Sequence, residues 1–294
     1  MRGYAIGRAV PYRSALSDYL MLTKPGIVAL VLVSALTGMY MGGGTDPGLI
    51  FWALTGIALA TAASCVFNNY VDRDIDRLME RTSARPLALG TVPAGGALLE
   101  GVVLMGLSMS ILITRVNAAT TALTALASFI YVVVYGMALK RRTHLANQAG
   151  GISGALPPVM GYAAATGGVG LEVLALFAIV VLWQQPHALS LALKYRDQYR
   201  TAGVPAFPVV KGVLATKKRI AAYTAALLPV SMLPWWLGTA GTLYLLTAFA
   251  AGSAFLALGV RFLRSGRDSS MSIFFYSIIY LTVVFLAMVV DMRG

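Results

Sequence analysis

Stretches of about 17 to 23 residues with almost no charge recur nine times along this chain, and no other feature constrains its fold as strongly. They lie at 25–41, 49–68, 92–113, 118–138, 145–166, 171–193, 219–238, 241–260 and 271–290. Each is close to the ~20 residues with which an α-helix crosses a bilayer. Composition agrees: 58% of residues are hydrophobic and 12% are charged, where soluble globular chains carry about 25% charge. Mean hydropathy is +0.76. The expectation is an all-α integral membrane protein with about nine transmembrane helices. No connection is long enough to separate two units, so residues 1–294 read as one polytopic membrane domain, with 1–20 as an N-terminal arm.

A net charge of +12 invites a nucleic-acid partner, but its distribution argues against one. Assigning connections to alternate sides gathers a net +14 on one side: the N-terminal arm, 72–85, Lys140-Arg141-Arg142, 194–219 and 261–268. The other side, with Asp46, Arg115, Glu172, Asp291 and Arg293, totals −1, and Glu100 within a span completes the balance. Such a bias is the positive-inside pattern. It puts the N-terminus in the cytoplasm and the C-terminus outside. The membrane expected is the inner membrane of a bacterium or archaeon, in preference to that of a mitochondrion. The first twenty residues lack the apolar core of a secretory signal, and Asp18 speaks against a transit peptide. The lone Cys65 excludes an internal disulfide or cysteine metal cluster and reads as a packing residue.

The outer connections are short ("GGGTDPG", "TRVN", "GTAGT"), whereas the two longest polar ones, 72–91 and 194–218, both lie inside. Chemistry is therefore expected at the cytoplasmic face. In "NQAGGISGALPPVMGYAAA", Gly150 and Gly154 have the spacing that lets helices approach closely. Pro157-Pro158 are expected to kink or interrupt that helix, either as simple packing or as the wall of a cavity.

One segment is out of place in so apolar a chain. "FNNYVDRDIDRLMERTSARP" (67–86) holds four of the eleven carboxylates and four arginines within fourteen positions. On a helix continuing the second span, Asn68, Asp72, Asp76 and Glu80 form one stripe, and Arg73, Arg77 and Arg81 a second beside it. Asp74 points elsewhere. A solvated helix laced with ion pairs is the plain reading. Against it, Asn68 and Asn69 stand within the apolar span, and a buried carboxylate costs ~2.5–3.5 kcal/mol at the bilayer centre, so these groups need water, a partner or a metal. Oxygen ligands on one face without His or Cys suit Mg²⁺, which completes its shell with phosphate oxygens. Neighbouring arginines hold such oxygens by bidentate bonds. The pattern fits a diphosphate site at the membrane surface, for an amphiphile with an isoprenoid tail.

"NNYVDRDIDRLMERTSARP" resembles the signature of the protohaem IX farnesyltransferases, the haem O synthases, within the intramembrane aromatic-prenyltransferase superfamily. Asn68, Asp72, Ile75-Asp76, Met79, Arg81-Thr82 and Arg85 carry the pattern. "LTKPGI", "KRRTHLANQAGGISGALPPVMGYAAATG", "LWQQPH" and "YRTAGVPAFPVVKG" extend the similarity from about residue 20 to 212. The resemblance implies nine helices around a central cavity open sideways to lipid, under a cytoplasmic cap formed by the 2–3 and 6–7 loops. It implies transfer of the farnesyl group of farnesyl diphosphate, with addition of water, to a vinyl group of haem B, which is substrate and not permanent cofactor. Haem A synthase or terminal oxidase assembly machinery are the partners that follow. Asn68, Asp72 and Asp76 would hold Mg²⁺ and carry catalysis, with Arg73, Arg77, Arg85, Lys194 and Lys211 on the diphosphate. Tyr70, Trp183 and Tyr195 either shield an allylic cation or pack at the interface.

The second inner loop departs from the pattern. Relatives often read Asp-Tyr-x-x-Ala-Gly, whereas this chain has Gln198 before Tyr199, with Asp197 one position earlier. In this loop, which also holds Tyr195, Asp197 either serves as a ligand with a one-residue shift or pairs with Arg196, Arg200 or Lys194. His187 shares a helix face with Trp183 and Tyr195, and is either a hydrogen-bonded core residue or a contact to haem. His144, at the membrane edge, is less well placed. Two other readings remain: a quinone-precursor prenyltransferase, which usually carries a paired Asp-x-x-x-Asp in the second loop, and an ion-coupled transporter, which needs charges near the midplane.

Overall fold

The computed structural model describes residues 14–266 and 269–292, so the first thirteen residues of the expected N-terminal arm lie outside the described residues. The arm's remainder forms α1, Ala15–Leu22. The chain then runs through α2 (Pro25–Met41), α3 (Pro47–Arg77), α4 (Pro86–Leu89), α5 (Ala94–Arg115) and α6 (Ala118–Leu139). Next come α7 (Ala146–Thr166), α8 (Leu171–Lys194), α9 (Arg196–Thr201) and α10 (Phe207–Val210). The last are α11 (Gly212–Val230), α12 (Leu233–Trp236), α13 (Thr242–Arg264) and α14 (Ser270–Val290).

Among the described residues, six helices are long and apolar enough to cross a membrane: α3, α5, α6, α8, α13 and α14. The pair α1 and α2, bent by 42°, adds a seventh if it counts as one span. Helices also stand at the two other expected places. However, α7 dilutes its apolar residues with glycine, Asn147 and Gln148, and α11 carries Lys217, Lys218 and Arg219 in its first half. The result is an all-helical multi-pass membrane protein with six to seven apolar spans, not a fixed count of nine. Its outer surface is aliphatic and aromatic, with Leu99, Val102, Phe129, Leu246, Phe275 and Leu286 all exposed, as lipid contact requires.

One expected continuation and two departures from the expected boundaries matter. Helix α3 continues past Phe67 to Arg77; its 31 residues span about 46 Å, against ~30 Å of hydrocarbon, so its charged end projects beyond the core. Helix α11 begins at Gly212 instead of 219, because its early charges are satisfied by tertiary contacts. Lys217 Nζ donates to the Ser265 carbonyl at 2.7 Å, and the Arg219 guanidinium lies 4.6 Å above the Phe207 ring. Helix α7 is not interrupted at Pro157-Pro158, both of which lie inside it. The packing there explains why. Gly38 of α2 lies so close to the Pro158 backbone that a Cβ would collide with it, and Gly161 stands in the same relation to Ala35. Helices α2 and α7 thus touch backbone to backbone, and the small residues are what allow it.

A second core lies between α8, α11, α13 and α14, around Leu176, Ile220, Tyr244, Phe255, Phe262 and Tyr280. Buried phenols need partners. The Tyr244 hydroxyl donates to the Ser231 carbonyl at 2.7 Å, and the Tyr280 hydroxyl meets the Ser231 hydroxyl.

Candidate active site

At the projecting end of α3, Asn68, Asp72 and Asp76 face a cavity of about 150 Å³. All three are buried; Asp72 is 1% exposed and Asp76 4%. Carboxylates so placed must be paired, and three different elements deliver the partners. Lys140 pairs with Asp72, Arg85 Nη1 bonds Asp76 Oδ2 at 2.7 Å, and Lys24 Nζ donates to Asn68 Oδ1 at 3.1 Å.

Each partner arrives by a local departure from regular helix. Lys24 sits in the left-handed region at φ 52°, between α1 and Pro25 at the start of α2. A side-chain-bearing residue is strained there, and the twist turns its ammonium toward α3. Arg85 returns because α3 stops. The Thr82 hydroxyl donates to the Asp76 carbonyl at 3.1 Å, and the Arg85 amide donates to the Thr82 carbonyl at 3.0 Å. Lys140 arrives through a π-helix, Ile130–Leu139, whose widened turn closes with the Lys140 amide donating to the Tyr135 carbonyl at 2.9 Å. At 3.6 residues per turn, residues 131 and 140 would stand on opposite faces. At about 4.4 per turn they stand on the same face, so Tyr131, Tyr135 and Lys140 all line the cavity. The two tyrosine rings stack 5.8 Å apart.

Two polar atoms in this shell have no partner: Asp72 Oδ1 and Asn68 Nδ2. An unmet buried group costs about 1–3 kcal/mol, so native folds rarely leave one without a purpose. A bare carboxylate oxygen can bind a cation, and a bare amide N–H can donate to an oxyanion. Among the described residues no three His, Cys, Asp or Glu side chains gather as a metal cage. Two carboxylates and an amide are nevertheless a usual protein share for a hard cation whose other ligands come from substrate.

The loops after α3 and after α8 close over the cavity as a cap. Ile75 and Met79 pack against Tyr199, Ala202 and Val204. The Arg81 amide donates to Gln198 Oε1 at 3.2 Å, and the Arg81 guanidinium lies 5.1 Å above the Tyr195 ring. Arg81 and Tyr199 both line the cavity.

The remaining residues singled out in the sequence lie elsewhere. Glu80 is exposed, because α3 ends at Arg77 and the stripe ends with it. Arg73 donates to the Tyr70 carbonyl and stacks on the Tyr70 ring at 4.3 Å; Arg77 donates to the Ala88 carbonyl at 2.9 Å. Lys194 and Lys211 are exposed and do not line the cavity. The Asp197 side chain, 80% exposed, pairs with Arg200 at 3.0 Å and Arg196 at 3.6 Å. Asp74 takes a two-pronged bond from Arg141, both contacts at 2.6 Å, and that carboxylate pushes the Arg141 pKa above its ordinary value. Asn69 is a structural tie, donating to the Leu22 and Cys65 carbonyls at 3.0 Å each. His187 stacks between Trp183 and Phe274, at 5.0 and 4.5 Å, with Nδ1 2.7 Å from the Ser277 hydroxyl. Lys24, Arg81, Tyr131, Tyr135 and Lys140 line the cavity without having been singled out as site residues. The stretches "LTKPGI" and "KRRTHLANQ" were the available signal for two of them.

The UbiA prenyltransferase family model matches residues 31–288. A protohaem IX farnesyltransferase of Aquifex aeolicus (strain VF5) is 48% identical over 282 residues, covering 95% of this chain and 97% of its own. A membrane digeranylgeranylglyceryl phosphate synthase has a similar structure, with a TM-score of 0.78 at 18% identity over 94% of this chain and 98% of that one. A UbiA homologue from Archaeoglobus fulgidus, bound to GPP and Mg²⁺, gives 0.60 at 19%, over 92% and 99%. At these identities the two structures speak for the fold alone. With the family pattern matched from the second helix to the last, this chain belongs to the UbiA prenyltransferase family.

Proposed function

We propose that this protein transfers the farnesyl group of farnesyl diphosphate, with a hydroxyl from water, to a vinyl group of haem B, giving haem O and diphosphate. The observation that carries the reading is the cavity's composition. A buried carboxylate pair is ringed by Lys24, Arg81, Arg85 and Lys140, with an Asp72 oxygen and an Asn68 N–H left open. Such a ring suits an oxyanion presented together with a hard cation. The name of the Aquifex relative supports the tail and the acceptor, and the GPP and Mg²⁺ on the Archaeoglobus homologue support the head group and the metal.

In this reaction the allylic C–O bond breaks with its electron pair leaving on the diphosphate oxygen. The terminal vinyl carbon forms the new C–C bond, and water adds at the neighbouring carbon and loses a proton. Lys24, Arg81, Arg85 and Lys140 bind the departing oxygens and neutralise the charge that grows on them. Asn68, Asp72 and Asp76 would hold Mg²⁺, which would supply further neutralisation of the developing charge. Tyr131 and Tyr135 offer π-faces to the allylic cation. The cap of Ile75, Met79 and Tyr199 keeps bulk water from capturing it first. The cavity volume suits the head group, and the farnesyl chain lies among the helices. Arg73, Arg77, Lys194 and Lys211, turned elsewhere or exposed, have no part in this clamp. The Lys/Arg bias of the connections supports a cavity on the cytoplasmic face, with the N-terminus inside and the C-terminus outside, in a membrane we take to be the inner membrane of a bacterium or archaeon. Haem A synthase or the oxidase assembly machinery would take up the product there.

Membranes holding the protein, given haem B, farnesyl diphosphate and Mg²⁺, are expected to yield a haem heavier by farnesyl plus water on mass spectrometry. Unmodified haem alongside a prenylated phenolic acceptor would mark a quinone-precursor enzyme instead. His187 is the proposed haem contact. The Ser277 hydroxyl donates to the Phe274 carbonyl, so His187 Nδ1 donates to Ser277 and Nε2 is left unprotonated, the form an iron ligand needs. His187→Ala is expected to alter the absorption spectrum of bound haem and to lower turnover. An unchanged spectrum with full turnover returns His187 to a packing role.

A further inference from the structure

We propose that the site works with a single divalent cation, and that Lys24, Arg81, Arg85 and Lys140 take the place of a second. The inference rests on the diphosphate reading above. The cavity's carboxylates come from one wall only, Asp72 and Asp76 on α3. The facing loop brings Tyr199 to the cavity and no acid. Its one carboxylate, Asp197, points into solvent and is held by Arg200 and Arg196. At the position beside Tyr199 stands Gln198, a neutral amide whose oxygen already accepts the Arg81 amide across the cap. The second loop therefore has no anionic oxygen to offer a metal.

Charge leads to the same count. Four cationic side chains face two carboxylates around this small cavity, and in a poorly screened volume a second divalent cation would add to an existing positive excess. A diphosphate with one metal relieves that excess. The two open atoms agree, since Asp72 Oδ1 is one free cation position and Asn68 Nδ2 one free oxyanion position. Lysine and arginine supply donors that a second metal would otherwise replace.

The test uses the full chain in lipid nanodiscs, with Mn²⁺ as the spin probe and farnesyl thiodiphosphate, an unreactive analogue. One Mn²⁺ per chain at saturation is expected, with none bound by Asp72→Asn. Lys140→Gln is expected to weaken analogue binding at least tenfold while the Mn²⁺ count stays at one. Two Mn²⁺ per chain with the analogue bound overturns the single-metal inference and leaves the diphosphate reading standing. Analogue affinity within twofold of normal in both Lys140→Gln and Arg81→Ala overturns the role given to the cations. No analogue binding at any metal concentration overturns both readings.

Discussion

Asp72→Asn is expected to lower turnover by at least about 10²- to 10³-fold, the scale on which one oriented stabiliser of developing charge acts. The substitution keeps shape and removes a charge from a side chain that is 1% exposed. It also leaves Lys140, whose side chain is 16% exposed, without its partner. Breaking a buried ion pair on one side destabilises by about 3–5 kcal/mol; the Lys140 position at a cavity wall reduces that. The two effects separate in a double variant. Asp72→Asn with Lys140→Gln removes both charges and is expected to recover thermal stability in detergent, while farnesyl transfer stays lost. Full turnover in the single variant would contradict the metal role given to Asp72.

Gly161→Val is expected to abolish folding at ordinary growth temperature, a loss of about 3 kcal/mol or more. The new Cβ would collide with the Ala35 carbonyl oxygen, which is backbone and cannot rotate away. Gly38 stands in the mirrored situation against Pro158, so the α2–α7 crossing has no slack at either contact. Separating these helices also draws Lys24, at the head of α2, away from Asn68. Gly106→Ala is the control, because a Cβ there meets nothing within 4 Å. Thermal melts followed by size-exclusion elution should show Gly106→Ala unchanged and Gly161→Val lost or sharply lowered. Equal melts for the two variants would refute the close crossing.

Several residues show how far local pattern carries. The charged end of α3 was legible because helix period and residue type coincide: Asn68, Asp72 and Asp76 recur every four residues and do share a cavity. Glu80 has the same spacing and falls outside, since Thr82 takes the Asp76 carbonyl and turns the chain. Asp197 is one residue from a position where relatives often carry the acid, yet its partners are two arginines of its own helix, Arg196 and Arg200. Spacing places a side chain on a face only for as long as the helix continues.

The sequence by itself determined the class and one wall of the site. Apolar length demands helices in a bilayer, and a four-residue recurrence demands a shared face. Only the tertiary structure decided which cations meet that wall. Lys24 lies 44 residues from Asn68, and Lys140 lies 68 residues from Asp72. Both are aimed by backbone that leaves the α-helix, at a left-handed residue and through a π-helix. Those conformations are held by packing around them and not by any local preference of the residues that adopt them. A pattern read at 3.6 residues per turn puts Lys140 on the wrong face, and the widened turn puts it on the right one.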